Sequence, residues 1–158
     1  MAAHATGHVP EGSSKETATR LASELGEVMS ERAAAEGVTV QVVDDNLRHW
    51  HVRLADFDLE SQLAQDLFLY ESARPGRDHV LLEVIFPHRY PGRPPFVRVV
   101  YPRFHQWTGH ITSGGSVCVE ELTLSGWTSD FKLLPFLIMI RNVLLEGGAL
   151  IDMDRAGD

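Results

Sequence analysis

A chain of 158 residues, 44% hydrophobic and 23% charged, is sized and composed for one globular domain around a single core. Its formal charge of −8 argues against a nucleic-acid binder, whose footprint would be basic. A single cysteine argues against a disulfide framework and favours a reducing compartment, cytoplasmic and/or nuclear.

The first residues lack the basic-then-apolar layout of a secretory signal. The most apolar run, Leu133 to Leu145, is too short to span a bilayer and is interrupted by Arg141 and Asn142, so no membrane association is expected. Residues 1–14 are Ala, His, Gly, Ser and Pro without periodicity and are expected to be a mobile tail, leaving 15–158 as the core domain. From Lys15 to Glu36 the apolar residues Leu21, Leu25, Val28 and Met29 share one stripe, which predicts a helix ended by Gly37.

Val38 to Val43 is rich in β-branched residues and predicts a strand. Asp44-Asp45-Asn46 is a turn signal. From His49 to Asp56, Trp50, Val52 and Leu54 alternate with His49, His51 and Arg53, so this strand pairs with the first as a hairpin and leaves its histidines solvated. A short helix is expected over Ser61 to Leu69 and a third strand over His79 to Phe86. The four prolines of Pro87 to Pro95 then dictate an extended loop. Phe96 to Tyr101 predicts a fourth strand. A long irregular stretch, Pro102 to Trp127, carries the cysteine, and long ordered loops in small domains are usually functional. Leu133 to Glu146 predicts a helix with Pro135 in its first turn and Gly147-Gly148 at its end. The residues after it are too few for another substantial packed element. The order, one helix, four serial strands, a loop and a helix, predicts an α+β fold with an antiparallel meander covered by helices.

By composition alone, Cys118 reads as a small buried hydrophobe. His105, His110 and Cys118 fit no common zinc spacing and lack a fourth ligand, so neither a metal nor a cofactor is expected. The surrounding motifs change the reading of the cysteine. Phe86-Pro87-His88-Arg89-Tyr90-Pro91-Gly92-Arg93-Pro94-Pro95 is followed, about two dozen residues on, by Val117-Cys118-Val119 and then Trp127. This arrangement resembles the ubiquitin-conjugating enzyme family, whose members carry Phe-Pro-x-x-Tyr-Pro-x-x-Pro-Pro, an apolar-Cys-apolar site and a Trp in that order. The resemblance runs from about Thr17 to Gly148. Val43-Asp44-Asp45-Asn46-Leu47-Arg48-His49-Trp50-His51-Val52-Arg53-Leu54, Pro95-Phe96-Val97-Arg98-Val99-Val100 and Gly114-Gly115-Ser116-Val117-Cys118-Val119-Glu120-Glu121-Leu122-Thr123 resemble the Q-type subfamily.

The resemblance implies a UBC-like fold and a Cys118 thiol that accepts ubiquitin, or a ubiquitin-like protein, as a thioester from the activating enzyme. An amine, or a ubiquitin ligase holding a substrate, then receives it. Most members carry His-Pro-Asn with the Asn eight residues before the cysteine; His110 stands there, and the Q-type members also lack the tripeptide. His110 is thus either a donor to the oxyanion formed at the thioester or a brace for the loop. Gly114 and Gly115 are either a bare groove for the modifier's extended C-terminus or a plain turn. Tyr90 and Trp127 would pack beneath the loop. Asp152 and Asp154 lie where the family keeps an acidic gate for the incoming lysine.

Gly92 replaces an aromatic of the loop that ligases grip, Thr128-Ser129-Asp130 replaces Ser-Pro-Ala, and the family's two C-terminal helices are short or absent. The first helix, which in this family helps dock the activating enzyme, has only Lys15, Arg20 and Arg32 as basic residues. These departures keep a second reading open, a non-catalytic binding module on the same fold. An unrelated cysteine hydrolase is disfavoured, because no Cys-His-Asn arrangement is evident.

Overall fold

The computed structural model describes residues 12–155. Part of the expected tail, residues 1–11, lies outside the described residues. The first helix, α1 (Gly12–Val28), begins at Gly12 rather than Lys15.

The helix expected to run unbroken to Glu36 is two helices. α1 ends at Val28, and α2 (Glu31–Ala35) starts after Ser30, whose extended backbone (φ −72°, ψ 159°) lets its side chain accept from the Ala33 amide. A serine that caps satisfies an orphan N–H that the continuing helix would have used differently. The redirection buries Ala33, while Met29 is left 66% exposed. Gly37 follows at φ +77°, where an added Cβ would meet the Ala55 carbonyl oxygen at 2.2 Å, so the close approach to the next strand pair requires glycine.

Four strands follow: β1 (Val38–Val43), β2 (Asn46–Leu54), β3 (Val80–Ile85) and β4 (Phe96–Tyr101). They form one antiparallel sheet in the order β1-β2-β3-β4, the expected meander. Asp44 and Asp45 both sit in the left-handed region (φ 50° and 55°), the geometry of a tight two-residue hairpin, so β2 begins earlier than expected, at Asn46. Trp50, Val52 and Leu54 pair with Val84, Leu82 and Val80, and Val97 and Val99 continue the same buried face.

Between β2 and β3, α3 (Gln62–Ala73) runs a turn longer than expected. Ser61 caps it, and Leu63, Leu67 and Tyr70 make its buried stripe. The last helix, α4 (Leu133–Glu146), matches the expectation to the residue and buries Leu133, Leu134, Phe136, Leu137, Ile140 and Leu144. It packs beside α1, which also crosses β1 and β2. The residues after α4 are not idle. Ile151 bridges Phe104, the His105 amide donates to the Leu150 carbonyl and the Asp152 amide to Arg103, and Ala149 and Ile151 are buried. No helix among the described residues is long and apolar enough to cross a membrane.

Candidate active site around Cys118

Cys118 is exposed, not the buried thiol that composition suggests. Its place follows from a small hairpin that leans on the edge of the sheet. The Val117 amide donates to Val97 and the Val99 amide to Gly115, so this segment pairs with β4. Ile111 bridges Val117, the Thr112 amide donates to Ser116, and the Cys118 amide donates to the His110 carbonyl at 2.8 Å. His110 and Cys118 are therefore backbone partners across the open end of the hairpin.

The two glycines of this hairpin differ. Gly115 sits at φ +87°, and a Cβ there would lie 3.0 Å from the Val99 carbonyl oxygen, so backbone conformation and close packing both require it. A Cβ on Gly114 would meet nothing within 4 Å, which leaves bare surface. Both line a cleft of about 310 Å³ that also takes in Arg98, Tyr101, Arg103 and Thr112.

Gly109 and His110 both adopt φ of 61°, an unusual pair for which Gly109 is permissive and His110 is not. Toward α4 this kink is held by the Gly109 amide, which donates to Gly147 at the helix end, and by the Leu150 amide, which donates to Thr108 Oγ1. The His110 ring is exposed and lies along the same helix end, where a Cβ on Gly147 would come 3.0 Å from its Cδ2. Among the described residues no hydrogen bond joins the His110 ring to the Cys118 sulfur; the two residues are linked through their backbones.

Beneath the loop runs an aromatic column. Trp50 packs on Phe86, Phe86 on Tyr90, Tyr90 on Trp127, and Trp127 on Phe131 and Phe136, with ring centroids 4.7 to 6.1 Å apart. Trp127 Nε1 donates to the Pro91 carbonyl at 2.7 Å, tying the end of the cysteine loop to the proline loop. Gly126 makes this return possible, since a Cβ there would strike the Glu120 carbonyl oxygen at 2.1 Å.

Tyr90 is fully buried, and its hydroxyl donates to Glu24 Oε2 on α1 in a short hydrogen bond. Burial first, then this bond, pushes the Tyr90 hydroxyl far above its ordinary range. Glu24, only 2% exposed, also accepts from the Leu133 amide at the start of α4 (3.2 Å) and lies 3.3 Å from Arg20 Nε. One carboxyl group thus joins α1, the proline loop and α4. The same helix face contributes Thr17, whose hydroxyl donates to the Tyr90 carbonyl at 2.6 Å. Sequence reasoning missed Glu24. The signal was available, because Thr17, Leu21, Glu24 and Val28 fall on one stripe and a carboxyl there must find partners. Arg20, one of the few basic residues of α1, is drawn into the same network and donates to the Phe131 carbonyl.

Asp152 is half-buried beside His105, with 3.8 Å between Oδ2 and Nδ1, and Asp154 is exposed. Among the described residues no hydrogen bond or ion pair connects either to Cys118. His105, His110 and Cys118 do not converge as metal donors among the described residues. His49 and His51, expected to be solvated, are half-buried and face Glu83 instead.

No protein-family model matches the chain. Among curated proteins it is 36% identical over 129 residues to a Q-like ubiquitin-conjugating enzyme E2 protein of Drosophila melanogaster, a match spanning 81% of this chain and 40% of that one. It is 34% identical over 133 residues to human ubiquitin-conjugating enzyme E2 Q1, spanning 84% of this chain and 31% of the relative. It is 33% identical over 110 residues to a second human relative, the Q-like ubiquitin-conjugating enzyme E2 protein 1, spanning 70% and 64%. The chain thus spans between about a third and two thirds of the length of these relatives. Among solved structures, a Toxoplasma gondii ubiquitin-conjugating enzyme domain superposes with a TM-score of 0.58 at 23% identity, covering 80% of this chain and 72% of that one. With the meander sheet, the proline loop and the exposed cysteine in the positions described, the chain has the ubiquitin-conjugating (UBC) fold, and its sequence similarity lies with the Q-type ubiquitin-conjugating enzymes.

Proposed function

We propose that this chain is a ubiquitin-conjugating domain that carries ubiquitin or a ubiquitin-like modifier as a thioester on Cys118. The observation that carries the reading is the exposure of the lone thiol, on a hairpin end whose backbone is bonded to His110 and whose base is tied by Trp127 to the proline loop. In the first step the Cys118 thiolate attacks the thioester carbonyl on the activating enzyme and expels that enzyme's thiolate. In the second, an amine, from a target lysine or delivered with a ligase, attacks the Cys118 thioester, loses a proton and expels the thiolate. Sulfur suits both steps, as nucleophile and as leaving group. Gly114 offers the bare surface that an extended modifier tail needs. His110 acts chiefly as a brace, a role its backbone bond to Cys118 and its contact with the end of α4 support. An acidic gate for the incoming lysine would fall to Asp152, half-buried beside His105, or to the exposed Asp154. Partners would be the modifier, its activating enzyme and a ligase, in the cytoplasm or nucleus, where a free thiol persists.

The test is charging with activating enzyme, ATP and ubiquitin, read on a non-reducing gel. A conjugate that disappears with thiol reductant is expected, and Cys118→Ser should give at most a reductant-resistant ester. The lack, among the described residues, of a hydrogen bond from the His110 ring to the Cys118 sulfur favours as a second reading a modifier-binding module without transfer. Retained ubiquitin binding with no thioester, tried with several modifiers, would establish that reading and overturn the first.

A further inference from the structure

The outer face of the sheet, opposite the packed core, carries a cluster that the thioester chemistry does not use. His49 and His51, two apart on β2, project to the same face, as strand alternation requires. Glu83 on β3 is the direct cross-strand partner of His51, and Arg98 on β4 the direct partner of Glu83. His49 Nε2 lies 3.0 Å and His51 Nε2 4.0 Å from the same oxygen, Glu83 Oε2, while Arg98 Nε donates to the other, Oε1, at 2.9 Å. All three donor atoms fall within 4.8 Å of one another.

From this convergence we propose that His49, His51 and Glu83 form a surface binding site for a divalent transition-metal cation of the zinc class. Two imidazoles and one carboxylate suit zinc, copper or nickel and not the all-oxygen coordination of calcium or magnesium. Metal–donor bonds of about 2.0–2.1 Å in a tetrahedron place donors roughly 3.3 Å apart. The observed 3.0 and 4.0 Å to Oε2 straddle that value, so small side-chain rotations complete the set without moving the strands.

The surroundings favour it. Arg98 holds Oε1 and thereby orients Oε2 toward the two rings, as outer-shell partners do for metal-bound carboxylates. Glu83 is half-buried beside the two rings, so a cation bound there would be partly shielded from solvent. Arg53, on the same face, is paired with Asp78 at 3.5 Å. Three protein donors leave the remaining coordination to solvent or to a partner's ligand, an open site. On binding, His49 must present the Nε2 lone pair, so a neutral ring shifts its proton to Nδ1 and a charged ring releases one to solvent.

Titration of the chelator-stripped protein with zinc chloride, followed by calorimetry and by NMR of the histidine ring resonances, tests the site independently of thioester formation. One saturable equivalent is expected, with the His49 and His51 rings perturbed together. Affinity should fall on the order of tenfold or more in His49→Asn and in His51→Asn, the scale on which metal sites respond to losing a supporting group. Glu83→Gln should do the same, but it also unpairs Arg98, so the histidine variants keep the test decisive if it misfolds. Cys118→Ser should retain the equivalent. Absence of saturable binding below about 1 mM zinc, a very weak association, would overturn the proposal. So would an equivalent that survives in the double variant His49→Asn/His51→Asn.

Discussion

Removing the Tyr90 hydroxyl should be among the most damaging single-atom changes in this protein. Tyr90→Phe keeps the ring, and with it the packing on Phe86 and Trp127. It takes away the donor to Glu24 Oε2, while the contacts from the Leu133 amide and Arg20 Nε both fall on Oε1. At 2% exposure, Glu24 has no solvent to replace the lost partner. A hydrogen bond to a charged group contributes about 1.5–3 kcal/mol, and an orphaned buried acceptor sits at the upper end of that range. For a domain of this size each kcal/mol lowers Tm by about 2–4 °C, so a fall of about 5–10 °C is expected. With a urea m-value of about 2 kcal/mol/M the unfolding midpoint should drop by about 1 M at unchanged slope. Glu24→Gln combined with Tyr90→Phe closes a double-mutant cycle in which the two losses should be strongly non-additive. A Tyr90→Phe variant destabilised by less than about 0.5 kcal/mol, or purely additive losses, would refute the view that this carboxyl group couples α1, the proline loop and α4.

Four further outcomes are expected. Gly115→Ala should lose about 1–3 kcal/mol in chemical denaturation, because φ of +87° and the Val99 carbonyl at 3.0 Å both oppose a side chain. Gly114→Ala should stay within about 0.5 kcal/mol of wild type, yet slow thioester formation if the modifier's tail crosses that bare surface. His110→Ala in the charged, folded protein should discharge to free lysine at close to the wild-type rate, since the loop's bond to Cys118 runs through the backbone; a drop of a hundredfold or so, the scale of a lost oxyanion donor, would instead make His110 that donor. The fourth concerns acid. The Glu83 carboxyl titrates below its ordinary value in the folded chain, with burial opposing and the bonds from His49 and Arg98 prevailing. Its contribution is therefore full above the unfolded value of about 4.3 and is lost as pH falls through the lowered folded value. Glu83→Gln should flatten the stability profile across that window, measured by urea unfolding between roughly pH 5 and pH 3.

Periodicity and turn chemistry are local, and where they are strong the sequence alone located the elements. Phe96–Tyr101 and Leu133–Glu146 fall where the residue pattern puts them, and the alternation at Trp50, Val52 and Leu54 named the buried face of β2. The motif spacing from Phe86 through Cys118 to Trp127 identified the family without reference to the fold. Local signals that compete were misread: Ser30 could sit inside a helix or cap one, and the buried packing of Ala33 selects the cap.

What only tertiary structure decided is everything that joins distant parts of the chain. The carbonyl of His110 bonded to the amide of Cys118, Glu24 reaching Tyr90 and Leu133, and Glu83 gathering His49 and His51 each require chain reversals whose register no local pattern specifies. The thiol itself shows the division. The neighbouring motifs single it out by their spacing, but its exposure comes from a hairpin leaning on β4, held there by backbone hydrogen bonds that any non-proline residue can make.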